Sequence, residues 1–92
     1  MPALSAQEAN ALLSSVPAWQ IEAGELVRIF TFKDFRESLR FVNQVGELAE
    51  EAGHHPDIDI RYNRVRLALV THDAGGLTCK DFELAGRADK LL

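Results

Sequence analysis

Glu50-Glu51-Ala52-Gly53-His54-His55-Pro56 is the stretch where helical spacing gives way to strand alternation. Upstream, Asp34 can cap a helix that runs to about Ala52. Phe35, Leu39, Val42 and Ala49 form one stripe along it, and Phe41, Val45, Leu48 and Ala52 form a second beside the first. Gly53 supplies the stop. Downstream, Ile58, Ile60 and Tyr62 alternate with Asp57, Asp59 and Arg61, the pattern of a half-buried strand. Two of the chain's three histidines sit together at this junction. The third, His72, ends a later strand-like run. Imidazoles gathered at two segment ends suggest that the two ends meet.

Asn63 turns the chain, and Val65, Leu67, Leu69 and Thr71 then alternate with Arg66, Ala68, Val70 and His72 as a further strand. A similar pair precedes the long helix. Trp19 and Ile21 alternate with polar neighbours, Ala23-Gly24-Glu25 turns, and Leu26 to Phe32 resumes with β-branched and aromatic residues. In that second strand Leu26, Arg28, Phe30 and Phe32 share one face, while Val27, Ile29 and Thr31 share the other. One face is expected under helices and the other as a ligand wall or subunit contact. Ser5-Ala6-Gln7-Glu8 and Thr78-Cys79-Lys80-Asp81 both match a capping box. The first opens a helix with Ala9, Leu12, Leu13 and Val16 inward and Pro17 as its end. The second opens one with Phe82, Ala85, Ala88 and Leu92 inward. The order is α-β-β-α-β-β-α. Hairpins favour antiparallel pairing and separate helices can cover one sheet face, so the expected class is an α+β two-layer sandwich.

Ninety-two residues suit a single domain spanning 1–92. The apolar fraction of 47% and charged fraction of 26% match an ordinary globular protein. A net charge of −4 argues against a general nucleic-acid or anionic-membrane binder. No apolar run approaches the length needed to span a bilayer. A lone Cys79 gives no internal disulfide and fits a reducing compartment. With no signal-like segment at the start, a cytoplasmic protein is the expectation. The wide apolar arc of the long helix suggests self-association, or a helix wedged between the sheet and its neighbours.

One rim of such a layer would carry the end of the long helix, the end of the fourth strand and the start of the last helix. It would gather His54, His55, His72 and Asp81, with Glu50 one turn before His54. Clustered imidazoles titrate near neutral pH and can supply a proton donor and an acceptor together, as an elimination or hydration requires. A carboxylate beside them can orient a ring. Each residue also has a plain structural role: His54 at a helix C-terminus, His55 in a loop, Asp81 as a capping carboxylate and Glu50 as a solvated side chain. Zinc is the rival ligand, but adjacent histidines lack the i, i+4 spacing that puts two ligands on one helical face. Gly75-Gly76 lacks the setting of a phosphate loop.

Glu50, three residues, His54-His55-Pro56, five residues, Tyr62, nine residues, His72, eight residues and Asp81 together resemble the signature of the pterin-4a-carbinolamine dehydratases. The likeness runs from the N-terminal helix through Trp19 to the last helix. It implies a four-stranded antiparallel sheet with three helices. It also implies dehydration of 4a-hydroxytetrahydropterin to quinonoid dihydropterin, which regenerates the cofactor of an aromatic amino-acid hydroxylase. The pterin is then substrate, and the resemblance implies no metal or organic cofactor. By the same likeness His54 and His72 would protonate the departing oxygen, and His55 would contact the pterin and assist at N5. Glu50 and Asp81 would orient the imidazoles. Pro56 and Tyr62 would support the pocket. A homo-oligomer, dimer or tetramer, is expected.

The resemblance carries an alternative, because family members also act as a dimerisation cofactor for a transcription factor and relatives serve as assembly factors without catalysis. A scaffold has no use for a protonatable triad. Retention of His54, His55, His72 and Asp81 therefore favours the enzyme.

Overall fold

A computed structural model describes residues 2–92. The chain runs α1 (Ala6–Leu12), a 3₁₀ turn (Leu13–Ser15), β1 (Gln20–Glu22), β2 (Glu25–Thr31), α2 (Phe35–Ala52), β3 (Asp57–Arg61), β4 (Arg64–Leu69), a second 3₁₀ turn (His72–Ala74) and α3 (Cys79–Asp89). The four strands form one antiparallel sheet in the order β1-β2-β4-β3. The class and element order are those expected from the sequence.

Alternation along the strands decides which face meets the helices. Leu26, Phe30, Val65, Leu67 and Leu69 pack in one core with Ala9 of α1, Phe41 and Val45 of α2, and Phe82, Leu84, Ala85 and Ala88 of α3. All three helices therefore cover the same face. Rings sit densely at the centre, with Phe30 and Phe41 centroids 4.5 Å apart and Trp19 edge-on to Phe30 at 5.9 Å. Trp19 Nε1 donates to Asp89 Oδ1 at 2.9 Å, and Arg28 donates to the same oxygen at 2.6 Å. That shared acceptor ties the last turn of α3 to the first hairpin, a link the apolar pattern of the sequence did not reveal.

Both capping boxes form, at Ser5 with Glu8 and at Thr78 with Asp81. Asp34 caps α2 through Glu37 N–H. At the first hairpin Ala23 and Gly24 both take positive φ, 48° and 79°, which matches the right-handed twist of the flanking strands.

Five expectations need correction. Along α2 only Ser38, Phe41, Val45 and Ala49 are buried, while Phe35 and Leu39 are exposed. Part of the apolar arc is thus uncovered, while Val42 and Leu48 pack partly buried against the core. β3 is an edge strand with Ile58 exposed, rather than half-buried, because the helices stop short of it. Tyr62 belongs to the β3–β4 turn, left-handed at φ 52° and 65% exposed, not to the strand. β4 ends at Leu69; Thr71 makes an isolated bridge to Gly76, and His72 opens the 3₁₀ turn instead of finishing the strand. In α3, Leu92 lies beyond the helix and is exposed.

Candidate active site

α2 ends where Gly53 takes the left-handed conformation that a side chain would disfavour, φ 61°. The N–H of Gly53 then bonds Glu50 O, and that of His54 bonds Ala49 O at 3.1 Å. This cap turns the chain abruptly and fixes the backbone of His54 against the helix end. His54 is mostly buried, whereas His55 is exposed and Pro56 leads into β3.

The ring of His54 meets the first turn of α3, where its Nε2 lies 2.6 Å from Asp81 Oδ1. Asp81 is wholly buried. Its second oxygen accepts from the Thr71 hydroxyl at 2.9 Å and from the Thr78 backbone N–H at 2.9 Å. Thr71 and Thr78 hydroxyl oxygens are 2.9 Å apart. These donors and the positive end of the α3 dipole all face the Asp81 side chain. One acidic residue thus joins the end of α2, the tip of β4 and the start of α3. The expected rim exists, with Asp81 as its junction.

The other expected residues are placed differently. His55 Nε2 lies 2.6 Å from Glu50 Oε2, both side chains in solvent. Glu50 therefore serves His55 and not His54. His72 is exposed one residue beyond Thr71, with no side-chain hydrogen bond among the described residues. Tyr62 caps the far end of β3, roughly 20 Å from Pro56 at the usual rise per strand residue. Within one chain it does not reach the rim. Among the described residues no group of three or more His, Cys, Asp or Glu side chains is arranged to hold a metal ion.

A cleft of about 280 Å³ opens beside His54, between the end of α2 and α3, lined also by Ala52, Lys80, Glu83, Leu84 and Arg87. That volume is near the lower end of small-molecule sites. Arg87 reaches across to Glu51 at 2.9 Å. The spacing 80, 83, 84, 87 marks one helical face and was readable in the sequence. Thr71 was readable too: it is the polar last member of the inward series Val65, Leu67, Leu69.

A family model described as pterin 4 alpha carbinolamine dehydratase matches residues 2–91. The chain belongs to that family. A relative from Acidobacterium capsulatum, named "putative pterin-4-alpha-carbinolamine dehydratase", is 65% identical over 80 residues, 87% of each chain. One of the same name from Chloroflexus aurantiacus is 56% identical over 92 residues, covering 100% of this chain and 99% of its own. Among solved structures, a transcriptional coactivator/pterin dehydratase from Brucella melitensis superposes with a TM-score of 0.92 at 33% identity over 97% of each chain. A pterin dehydratase-like protein identified as a RuBisCO assembly factor in the alpha-carboxysome gives 0.65 at 26% identity, over 79% of this chain and 84% of its own. No helix among the described residues is long and apolar enough to cross a membrane.

Proposed function

We propose that this chain dehydrates a 4a-hydroxytetrahydropterin to the quinonoid dihydropterin. The observation that carries the reading is the His54–Asp81 pair at the rim of a dehydratase-family fold, 2.6 Å long and buried on the acid's side. Hydroxide is a poor leaving group, so the C4a–O bond breaks when an acid protonates the oxygen. Its electron pair departs with that oxygen as water, while the N5–H pair moves inward to form the new double bond and the N5 proton passes to a base. His54 and His72 are assigned to the departing oxygen, and His55 to N5, with Glu50 orienting His55. Pro56 fixes the bend that carries both histidines. Tyr62 lies at the opposite end of β3 and does not reach this site within one chain.

The pterin is substrate here, and no step calls on a metal or a second organic group. Recycling of pterin for an aromatic amino-acid hydroxylase, in the cytoplasm, is the setting such a reaction fits. The test follows decay of freshly generated 4a-hydroxytetrahydropterin by ultraviolet absorbance, with and without the protein. Acceleration is expected; an unchanged rate defeats the reading.

A protein-binding role is supported separately by the names of the two solved relatives, a coactivator and an assembly factor. The uncovered stripe of Phe35 and Leu39 on α2 gives it a surface. Its first expected occupant is a second copy, which makes the protein a dimer or tetramer. Sedimentation at micromolar concentration checks this, and a monomer there rules it out.

A further inference from the structure

Counting protons in the buried network assigns a direction to each hydrogen bond. A carboxylate only accepts, and each hydroxyl has one proton to give. Thr71 must therefore spend its proton on Asp81 Oδ2 at 2.9 Å. The 2.9 Å contact between the two threonine oxygens is then Thr78 donating to Thr71. Thr78 Oγ1 in turn accepts the Lys80 N–H at 3.3 Å, from the open end of α3. The donors run one way, from α3 through Thr78 and Thr71 to the acid. No buried side-chain nitrogen or oxygen among the described residues is left over.

Asp81 Oδ2 is thereby filled by Thr71 and the Thr78 N–H, leaving Oδ1 to face His54. The nitrogen opposite Oδ1 must donate, so His54 carries a proton on Nε2. Nδ1 has no partner among the described residues. Thr71 also begins the turn that holds His72: its N–H bonds Gly76 O at 3.1 Å and its carbonyl accepts from Ala74 at 3.0 Å. One side chain and its own backbone thus bear on two of the three histidines.

We propose that Thr71 is a positioning residue, which holds Asp81 so that His54 keeps its proton on Nε2 and exchanges protons with substrate through Nδ1. The exchange rests on the dehydratase reading; the tautomer does not. In the step itself the Nδ1–H bond of the imidazolium breaks and an O–H bond forms on the 4a-oxygen. The C–O pair leaves with the water, and the Nε2 proton stays on the ring, hydrogen-bonded to Asp81 Oδ1. The Nδ1 lone pair is then free to take up a proton again, matching the one released from N5.

Two variants and one spectrum test this. Nitrogen-15 long-range correlation of the unmutated protein, recorded without pterin and with His54 neutral, is expected to show the Nε2–H tautomer. Thr71→Val keeps the shape and removes the donor; its kcat should fall about tenfold, the scale on which outer partners of a functional histidine act. KM should stay within about twofold, and the Nε2–H share should drop. Thr71→Ser restores the hydroxyl and should restore both. The proposal is overturned by an Nδ1–H tautomer in the unmutated protein, by undiminished kcat in Thr71→Val, or by equal losses in the two variants, which would mean packing alone. Should Thr71→Val not fold, the unmutated spectrum and Thr71→Ser still decide. Absence of turnover in the unmutated protein would defeat the dehydratase reading, while the spectrum would judge the tautomer independently.

Discussion

Turnover of the carbinolamine is expected to fall by about 10²–10⁴-fold when His54 is replaced by alanine, the range for loss of one general acid–base group. The ring is the group that joins the cleft to a buried carboxylate, and water in its place would not be held in one orientation. Circular dichroism should confirm a folded variant. His72→Ala and His55→Ala should also lose most activity. Both side chains are exposed, and His55 meets only an exposed Glu50, so stability should change by no more than about 0.5 kcal/mol. These two variants therefore separate chemistry from folding. If both kept full turnover, the assignment of the site would be wrong.

Asp81→Ala should be the most destabilising single change at the rim, by about 3 kcal/mol. It removes the acceptor for the Thr71 hydroxyl, the Thr78 N–H and the His54 ring, in a place fully closed to water. The hydroxyl can turn elsewhere, but the backbone N–H and the ring cannot, and α3 also loses half of its capping box. For a domain of this size the melting temperature should drop by roughly 12–24 °C. Urea unfolding checks the figure, with a lower midpoint and an unchanged slope. Asp81→Asn, which keeps the volume and one acceptor, should cost less. A loss below about 1 kcal/mol in Asp81→Ala would mean that the network contributes little to the fold.

Much of this was legible in the residues because short-range rules governed it. Gly53 stops α2, the two capping boxes open α1 and α3, and alternation from Val65 to Leu69 picks the buried face. What escaped depended on neighbours distant in sequence. Ile58 and Ile60 alternate as if covered, but the sheet order leaves β3 at an edge. Phe35 and Leu39 look like core, yet only one stripe of a helix can meet one sheet. His72 reads as strand because alternation continues past Leu69, where the bridge from Thr71 to Gly76 bends the chain away. At the site, the residue pattern put His54 and Asp81 on one rim without pairing them, since the contact joins residues 27 positions apart. Thr71 did not stand out, since a threonine closing a strand has an adequate propensity reason to be there. The Trp19–Asp89–Arg28 link joins residues 61 and 70 positions apart and left no local trace.

The central ladder of the sheet joins Leu26–Thr31 to Arg64–Leu69, with α2 and all of β3 threaded between the two partners. Each outer hairpin can zip up locally, but neither gains a neighbour until that long intervening segment has been drawn into a closed ring. Closing it costs chain entropy before any contact rewards the cost. The refolding rate should therefore respond to the meeting of β2 with β4 more than to the strength of either turn.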